Sequence, residues 1–144
     1  LVEDEPAVRA LVSSVLVRSG HRVLAAASGD EALHMVERDP DAIEVVLSDV
    51  VMPGLSGPAL ATAIRELRPG LPVLLMSGYP EHALGDDGAI DEGLAFIAKP
   101  FTPAQLRERL DAMLRGARAG SELARPRPVS RTRQRAGAPT PVAL

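Results

Sequence analysis

The sequence predicts an α/β fold, in which a parallel β-sheet is covered by helices on both faces. Residues 1–114 alternate short runs rich in Leu, Val and Ile with longer segments whose apolar residues recur at helical spacing. Of the 144 residues, 46% are hydrophobic, which allows one domain of ordinary size with a substantial core. Because aromatic residues make up only 2% of the chain, we expect that core to be aliphatic.

Five short runs are candidates for the strands. They are Leu1–Val2, Arg22–Ala26, Val45–Ser48, Val73–Met76 and Ala95–Ala98. The first run is shorter than the roughly five residues of a typical strand, and position 1 is not Met. We therefore expect the first strand to be truncated at its start and the sequence to be part of a longer polypeptide.

Five helices are expected to alternate with the strands. They are Pro6–Ser19, Asp30–Glu37, Gly57–Leu67, Glu81–Gly93 and a fifth that follows Thr102. Thr102 and Gln105 have the spacing of a capping box, and Pro103 lies at the first helical position, where proline is favoured. The fourth segment contains three glycines, so we expect it to be the weakest helix and the mobile element.

Charge divides the chain into two parts. Residues 1–114 carry nine basic and 18 acidic side chains, a net charge of −9, whereas residues 115–144 carry seven arginines and one glutamate, a net charge of +6. The Pro-, Gly- and Arg-rich composition from residue 116 predicts a disordered tail, 116–144, after a domain of residues 1–115. The tail is either a solvated extension or an electrostatic contact for an acidic partner or nucleic acid. Scattered arginines without aromatic residues favour the solvated extension, and we expect no direct DNA binding by the folded domain.

The composition excludes several kinds of site. Without cysteine there is no disulfide scaffold, thiolate zinc site or cysteine nucleophile. The lack of cysteine also gives no reason to expect an oxidising compartment, so we expect a cytoplasmic location. No apolar run approaches the ~20 residues that span a bilayer, so we expect no membrane insertion. No glycine-rich nucleotide loop is present, so a phosphoryl group would have to come from another molecule or domain. His21, His34 and His82 lack ligand spacing and a triad partner, and we expect them on the surface or on helix faces.

Acidic residues, a hydroxyl and a lysine follow the predicted strands. Glu3 and Asp4 follow the first strand, Asp49 the third, Ser77 the fourth and Lys99 the fifth. The carboxyl ends of parallel strands meet at one edge of a sheet, so these side chains should converge. Clustered carboxylates favour a bound cation, and their oxygens suit Mg²⁺. The pattern therefore predicts a phosphoryl-transfer site with an aspartate as a candidate nucleophile.

These residues also have purely structural interpretations. Asp4 and Glu5 can stabilise the start of the first helix, where negative charge is favoured. Lys99 can be a surface ion-pair partner, and the serine at the end of the fourth strand an ordinary hydroxyl. Capping alone leaves Glu3 and Asp49 unexplained.

Four motifs resemble the receiver domain of bacterial two-component response regulators. They are Leu-Val-Glu-Asp-Glu-Pro (1–6), Leu-Ser-Asp-Val-Val-Met-Pro-Gly-Leu-Ser-Gly (47–57), Leu-Leu-Met-Ser-Gly-Tyr (74–79) and Phe-Ile-Ala-Lys-Pro-Phe (96–101). The resemblance covers about residues 1–115. It implies a flavodoxin-like, doubly wound sheet of five parallel strands in the order 2-1-3-4-5, and transfer of a phosphoryl group from a kinase phosphohistidine to Asp49.

The resemblance also implies a role for each matching residue. The Mg²⁺ ligands would be Glu3, Asp4, Asp49 and the backbone carbonyl of Val51, and the phosphoryl-binding and switch residues would be Ser77, Lys99 and Phe96. Glu3 would act through a bound water. Phe96 stands at the aromatic switch position, where Tyr is frequent, so only ring packing remains of that switch; Phe96 can equally be a core residue.

The residues leave two alternatives for the kind of protein that contains this domain. The run from Asp49 to Tyr79 is most similar to receivers at the C-terminus of hybrid sensor histidine kinases, and a stand-alone single-domain response regulator is the alternative. The resemblance implies a histidine kinase as partner, in cis or in trans, with a histidine phosphotransferase and a phosphorylation-dependent dimer as further candidates. Such a domain would catalyse its own phosphorylation and dephosphorylation without being a conventional enzyme.

Two other function classes fit these residues less well. A haloacid-dehalogenase-like phosphatase also uses a strand-end aspartate and Mg²⁺, but it requires a second aspartate two residues later, where this chain has Val51. A pseudo-receiver that only binds partners is disfavoured by the complete set of acidic, hydroxyl and lysine residues.

Overall fold

A computed structural model of the chain describes residues 1–78 and 94–123, with side chains as far as residue 120. This part of the chain contains the helices α1 (Pro6–Arg18), α2 (Gly29–Arg38), α3 (Gly57–Leu67) and α4 (Pro103–Leu123), the strands β1 (Val46–Asp49), β2 (Val73–Ser77) and β3 (Ala95–Ala98), and a short 3-10 helix, Pro40–Ala42. The predicted helix Glu81–Gly93 and residues 124–144 of the predicted tail lie outside the described residues. No helix of the described chain is long and apolar enough to cross a membrane.

The strands form a parallel sheet in the order β1-β2-β3. Val2 extends this sheet beyond β1 through isolated parallel bridges to Ser48 on one side and Ala26 on the other. Numbered as the five predicted strands, the order is 2-1-3-4-5. The structure therefore confirms the predicted doubly wound topology.

The first two predicted strands are less regular than predicted. Only Val2 and Ala26 form bridges, and Arg22–Ala26 is not a continuous strand. The two segments are joined instead at single points: the Ala26 N–H donates to the Leu1 carbonyl oxygen at 2.8 Å, and the Glu3 N–H donates to the Ala26 carbonyl oxygen at 3.1 Å.

Helices cover both faces of the sheet, because successive strand residues point to opposite sides. In β1, Val46 packs with α2 and α3, and the next residue, Leu47, packs with α1 and α4. The buried residues on the α2/α3 side are Val2, Ala26, Ala32, Val36, Val46, Met52, Leu60, Ile64 and Leu71. Those on the α1/α4 side are Val12, Leu16, Leu47, Leu74, Met76, Leu106 and Leu110. The buried residues of the two clusters include no aromatic residue, as predicted from the composition, although half-buried Phe101 packs against the α1/α4 cluster.

Local capping chemistry sets the helix ends. In α4, the Thr102 N–H donates to Gln105 Oε1 at 2.8 Å, and the Gln105 N–H donates to Thr102 Oγ1 at 3.2 Å, which is the predicted capping box. Gly20, with φ at 89°, ends α1 in a conformation that favours glycine. These signals place the start of α4 at the predicted residue and the end of α1 within one residue of the prediction.

Helix α4 runs past the predicted domain boundary at residue 115 and ends at Leu123. Residues 116–123, predicted to belong to the disordered tail, are therefore helical. In this extension, Arg118 Nη2 lies 3.1 Å from Glu44 Oε2, which links the helix to the segment before β1. From residue 124 onward, the disordered tail stays a prediction.

Candidate functional site

Three carboxylates meet at the carboxyl edge of the sheet. Glu3 and Asp4 follow the bridge residue Val2, and Asp49 is the last residue of β1. One oxygen from each carboxylate lies within 4.8 Å of the others. Glu3 is only 2% exposed, whereas Asp49 is half-buried and Asp4 exposed. The structure thus brings together the three predicted acidic residues.

Asp49 is held through one of its two carboxylate oxygens. Its Oδ1 accepts hydrogen bonds from the Val50 N–H and from Lys99 Nζ, both at 3.0 Å. The Val50 N–H also lies 3.0 Å from the Met76 carbonyl oxygen, which ties the end of β1 to β2. Among the described residues, nothing donates to Asp49 Oδ2. Both of these contacts of the Asp49 carboxylate are therefore on Oδ1.

Lys99 connects the carboxylates. Its Nζ lies 3.0 Å from Asp49 Oδ1 and 3.7 Å from Glu3 Oε2. Its backbone N–H donates to the Ser77 carbonyl oxygen at 2.7 Å, so the end of β3 is fixed to the end of β2. The ammonium group partly balances the negative charge of the cluster.

Glu3 shows that the cluster suits a cation. Its Oε1 accepts a hydrogen bond from the Glu5 N–H at 3.1 Å, but its buried Oε2 has no hydrogen-bond partner among the described residues. Burial raises the pKa of Glu3; the Glu5 N–H lowers it, the Asp49 charge raises it further, and Lys99 lowers it. An unsatisfied buried carboxylate oxygen is costly unless it gains a proton or a cation. The donor set of three carboxylates therefore fits Mg²⁺.

The remaining predicted residues lie around this cluster. Ser77 is buried at the end of β2, in register with Ala98. Phe96 lies lower in the sheet, in register with Leu75, and is half-buried, so the structure does not bring it to the edge with the others. Val51 follows β1, and the residue is 69% exposed.

Gly57 makes a contact that sequence reasoning missed. A Cβ at this position would lie 2.2 Å from the Asp49 carbonyl oxygen, and the Gly57 N–H donates to the Val50 carbonyl oxygen at 2.9 Å. Helix α3 can therefore begin directly against the end of β1 only because residue 57 has no side chain. The available signal was the last glycine of the motif 47–57.

Arg9 also contacts the site and was not among the predicted site residues. Its Nη1 donates to the Glu3 carbonyl oxygen at 2.7 Å and lies 3.3 Å from the Asp4 carbonyl oxygen. The available signal was a single basic residue among the small and apolar residues of the first two turns of α1.

Comparison with known proteins decides the family. Residues 1–111 match the response regulator receiver domain. The chain belongs to the response regulator receiver family. Family membership and the sheet order together confirm the flavodoxin-like fold that the sequence motifs implied.

The relatives of this receiver include kinases and regulators. The sensor kinase CckA of Brucella abortus is 40% identical over 114 residues, which are 79% of this chain and 12% of that protein. The response regulator protein FleR of Pseudomonas aeruginosa is 37% identical over 130 residues, which are 85% of this chain and 25% of that protein. The receiver thus spans a small part of these curated relatives.

Solved structures agree with this assignment. The receiver domain from the hybrid histidine kinase CckA has 37% identity and a TM-score of 0.65, covering 78% of this chain and 94% of that one. A response regulator receiver domain protein from Clostridium thermocellum has 26% identity and a TM-score of 0.74, covering 82% of this chain and 94% of that one. Receiver domains of two-component systems interact with histidine kinases or phosphotransfer proteins and generally use Mg²⁺, and this receiver has an acidic cluster that could bind the metal.

Proposed function

We propose that this receiver accepts a phosphoryl group on Asp49 from the phosphohistidine of a histidine kinase, in a cytoplasmic two-component phosphorelay. The observation that carries the proposal is the joint contact of Lys99 Nζ with Asp49, at 3.0 Å, and Glu3, at 3.7 Å. A lysine and three carboxylates at one sheet edge supply the charges that phosphoryl transfer requires.

Asp49 supplies the nucleophile. One of its carboxylate oxygens attacks phosphorus, and an O–P bond forms while the bond between phosphorus and the imidazole nitrogen breaks. The electron pair of the broken bond leaves with the imidazole, and the product on Asp49 is an acyl phosphate. The contacts on Oδ1 fix the carboxylate during this step, while Oδ2 is not engaged by any described residue.

The acidic cluster would hold Mg²⁺. The residues for this role are Glu3, Asp4 and Asp49, with the Val51 carbonyl as a further ligand implied by the family motif. When bound, the ion supplies positive charge that offsets the negative phosphoryl oxygens. Glu3 is proposed to act through a water molecule.

Lys99 and Ser77 are proposed to bind the phosphoryl oxygens. Phosphorylation places new negative charge beyond the Asp49 carboxylate, and the Lys99 ammonium is the nearest described cation that can follow it. Lys99 directly follows β3, and its N–H is hydrogen-bonded to the end of β2. A movement of Lys99 would therefore displace the ends of both strands. We propose that the packing of Phe96, on β3, changes with it.

The similarity to the sensor kinase CckA supports a hybrid histidine kinase as the parent protein. The kinase would then lie in the same polypeptide. The match to FleR supports the alternative of a response regulator with a separate kinase. A histidine phosphotransferase partner and a phosphorylation-dependent dimer stay predictions.

Acetyl phosphate, a small phosphodonor, tests the proposal without knowledge of the kinase. With Mg²⁺ present, intact-mass measurement should show one added phosphoryl group, and hydroxylamine should remove it because it cleaves acyl phosphates. Asp49→Asn should not be labelled, whereas Asp41→Asn, a control in the exposed 3-10 helix, should behave like the parent. A label that persists in Asp49→Asn or resists hydroxylamine would disprove the proposed role of Asp49.

A further inference from the structure

We infer that Arg9 is a positioning residue that holds Glu3 and Asp4 in the orientation needed to bind Mg²⁺. The inference rests on the proposed function of the carboxylate cluster. It adds a residue of α1 to a site otherwise built from the ends of strands.

The guanidinium of Arg9 binds the main chain of the acidic segment. Its Nη1 lies 2.7 Å from the Glu3 carbonyl oxygen and 3.3 Å from the Asp4 carbonyl oxygen. Among the described residues, Arg9 forms no ion pair with a carboxylate. It therefore restrains the backbone on which the two acidic side chains are mounted and leaves their oxygens available for a cation.

This restraint acts where the chain needs it. The sheet holds Glu3, whose N–H donates to the Ala26 carbonyl oxygen at 3.1 Å. Asp4 is exposed and lies in the turn between the sheet and α1, beyond that support. Because the three carboxylates lie within 4.8 Å and repel one another, a loose turn would let Asp4 swing away.

The positive charge of Arg9 opposes Mg²⁺ binding, whereas its positioning of the acidic segment favours it. A positive guanidinium near the cluster repels Mg²⁺, so an arginine that acted only through its charge would weaken binding. An arginine that acts by positioning strengthens it. Removing the guanidinium therefore changes the Mg²⁺ affinity in opposite directions under the two explanations.

The experiment measures the Mg²⁺ dissociation constant of the full chain by NMR titration of backbone amides. We expect Arg9→Met, which keeps an unbranched apolar stem, to raise this constant about 10-fold, as for other residues that orient metal ligands. Arg9→Lys should give a smaller increase, because its ammonium can still donate to one carbonyl. Arg18→Met, a control in the exposed last turn of α1, should bind like the parent.

If Arg9→Met binds Mg²⁺ as tightly as the parent or more tightly, the inference is overturned. A lower metal-free melting temperature does not change this, because a merely structural role would lower stability alone. Should Arg9→Met not fold, Arg9→Lys decides by the same criteria. If the parent itself does not bind Mg²⁺, the proposed metal site fails and this inference fails with it. If the parent binds Mg²⁺ and is labelled, but the Arg9 variants bind Mg²⁺ as tightly as the parent, only the proposed role of Arg9 is wrong.

Discussion

Glu3 is an acidic side chain in surroundings that disfavour its charge. It is 2% exposed, its Oε2 lacks a hydrogen-bond partner among the described residues, and the Asp49 carboxylate is close by. In the metal-free protein, the ionised form of Glu3 therefore costs folding free energy. A cation that binds only the folded protein offsets this cost, so Mg²⁺ affinity and stability are linked through this residue.

We expect Glu3→Gln to separate these two effects. Without metal, the free energy of unfolding of the variant should exceed that of the parent by ~1 kcal/mol, and its melting temperature should be higher. The reason is that one of two interacting like charges is removed. It should also lose most of the stabilisation that the parent gains from Mg²⁺. Thermal melts with and without Mg²⁺ measure both effects, and Glu66→Gln, on the exposed face of α3, is the control. A variant stabilised by Mg²⁺ as much as the parent would place the metal elsewhere.

The pH dependence of this difference has a definite sign. The pKa of Glu3 is raised above its ordinary value of 4.5 in the folded protein, chiefly by burial. From that pH upward, until the folded pKa is passed, the folded state holds more protons than the unfolded state, so stability falls as pH rises. The advantage of Glu3→Gln over the metal-free parent should therefore grow from pH 4.5 towards neutrality.

The site residues differ in how far a sequence reveals them. Asp49 and Lys99 follow predicted strands, and parallel strands bring their ends together, so the sequence predicted this pair. Arg9 acts through main-chain carbonyls, which every residue has, so no pattern of side chains indicates its contact. Gly57 was assigned to a helix start, whereas its approach to the Asp49 carbonyl depends on how α3 packs against β1.

At the scale of elements, helix ends were predictable because their chemistry is local. The Thr102–Gln105 capping box and the glycine after α1 lie within a few residues of the backbone groups they affect. The prediction of a continuous strand at Arg22–Ala26 was wrong, because an apolar run does not show which of its residues a neighbouring strand pairs with. The continuation of α4 to Leu123 also escaped prediction, because an Arg-, Ala- and Gly-rich segment carries no apolar periodicity.

The junction between β1 and α3 gives a prediction at this scale. We expect Gly57→Ala to destabilise the protein by more than ~2 kcal/mol, because its Cβ would overlap the Asp49 carbonyl oxygen and push α3 away from β1. Urea unfolding measures the change. Gly116→Ala, in an open position on α4, is the control and should raise stability by up to ~1 kcal/mol through helix propensity. Equal effects of the two substitutions would show that the close approach at Gly57 does not matter.

At the scale of the whole molecule, topology explains why residues distant in sequence form one site. The chain leaves the strand position of Val2 towards Ala26 on one side and later returns to β1 on the other, so the sheet order reverses between Val2 and β1. Ligands of open α/β sheets bind at the carboxyl edge beside such a reversal. Glu3 follows the strand position of Val2 on one side of this reversal, and Asp49 ends β1 on the other.

The position of the phosphoryl group on the chain tests the central claim most directly. After treatment with acetyl phosphate and Mg²⁺, borohydride reduces an aspartyl phosphate to homoserine, which peptide mass spectrometry can locate. We expect homoserine at position 49 alone, and none when acetyl phosphate or Mg²⁺ is omitted. Homoserine at another aspartate, or phosphate on Ser48 or Ser77 with an unmodified Asp49, would contradict the account.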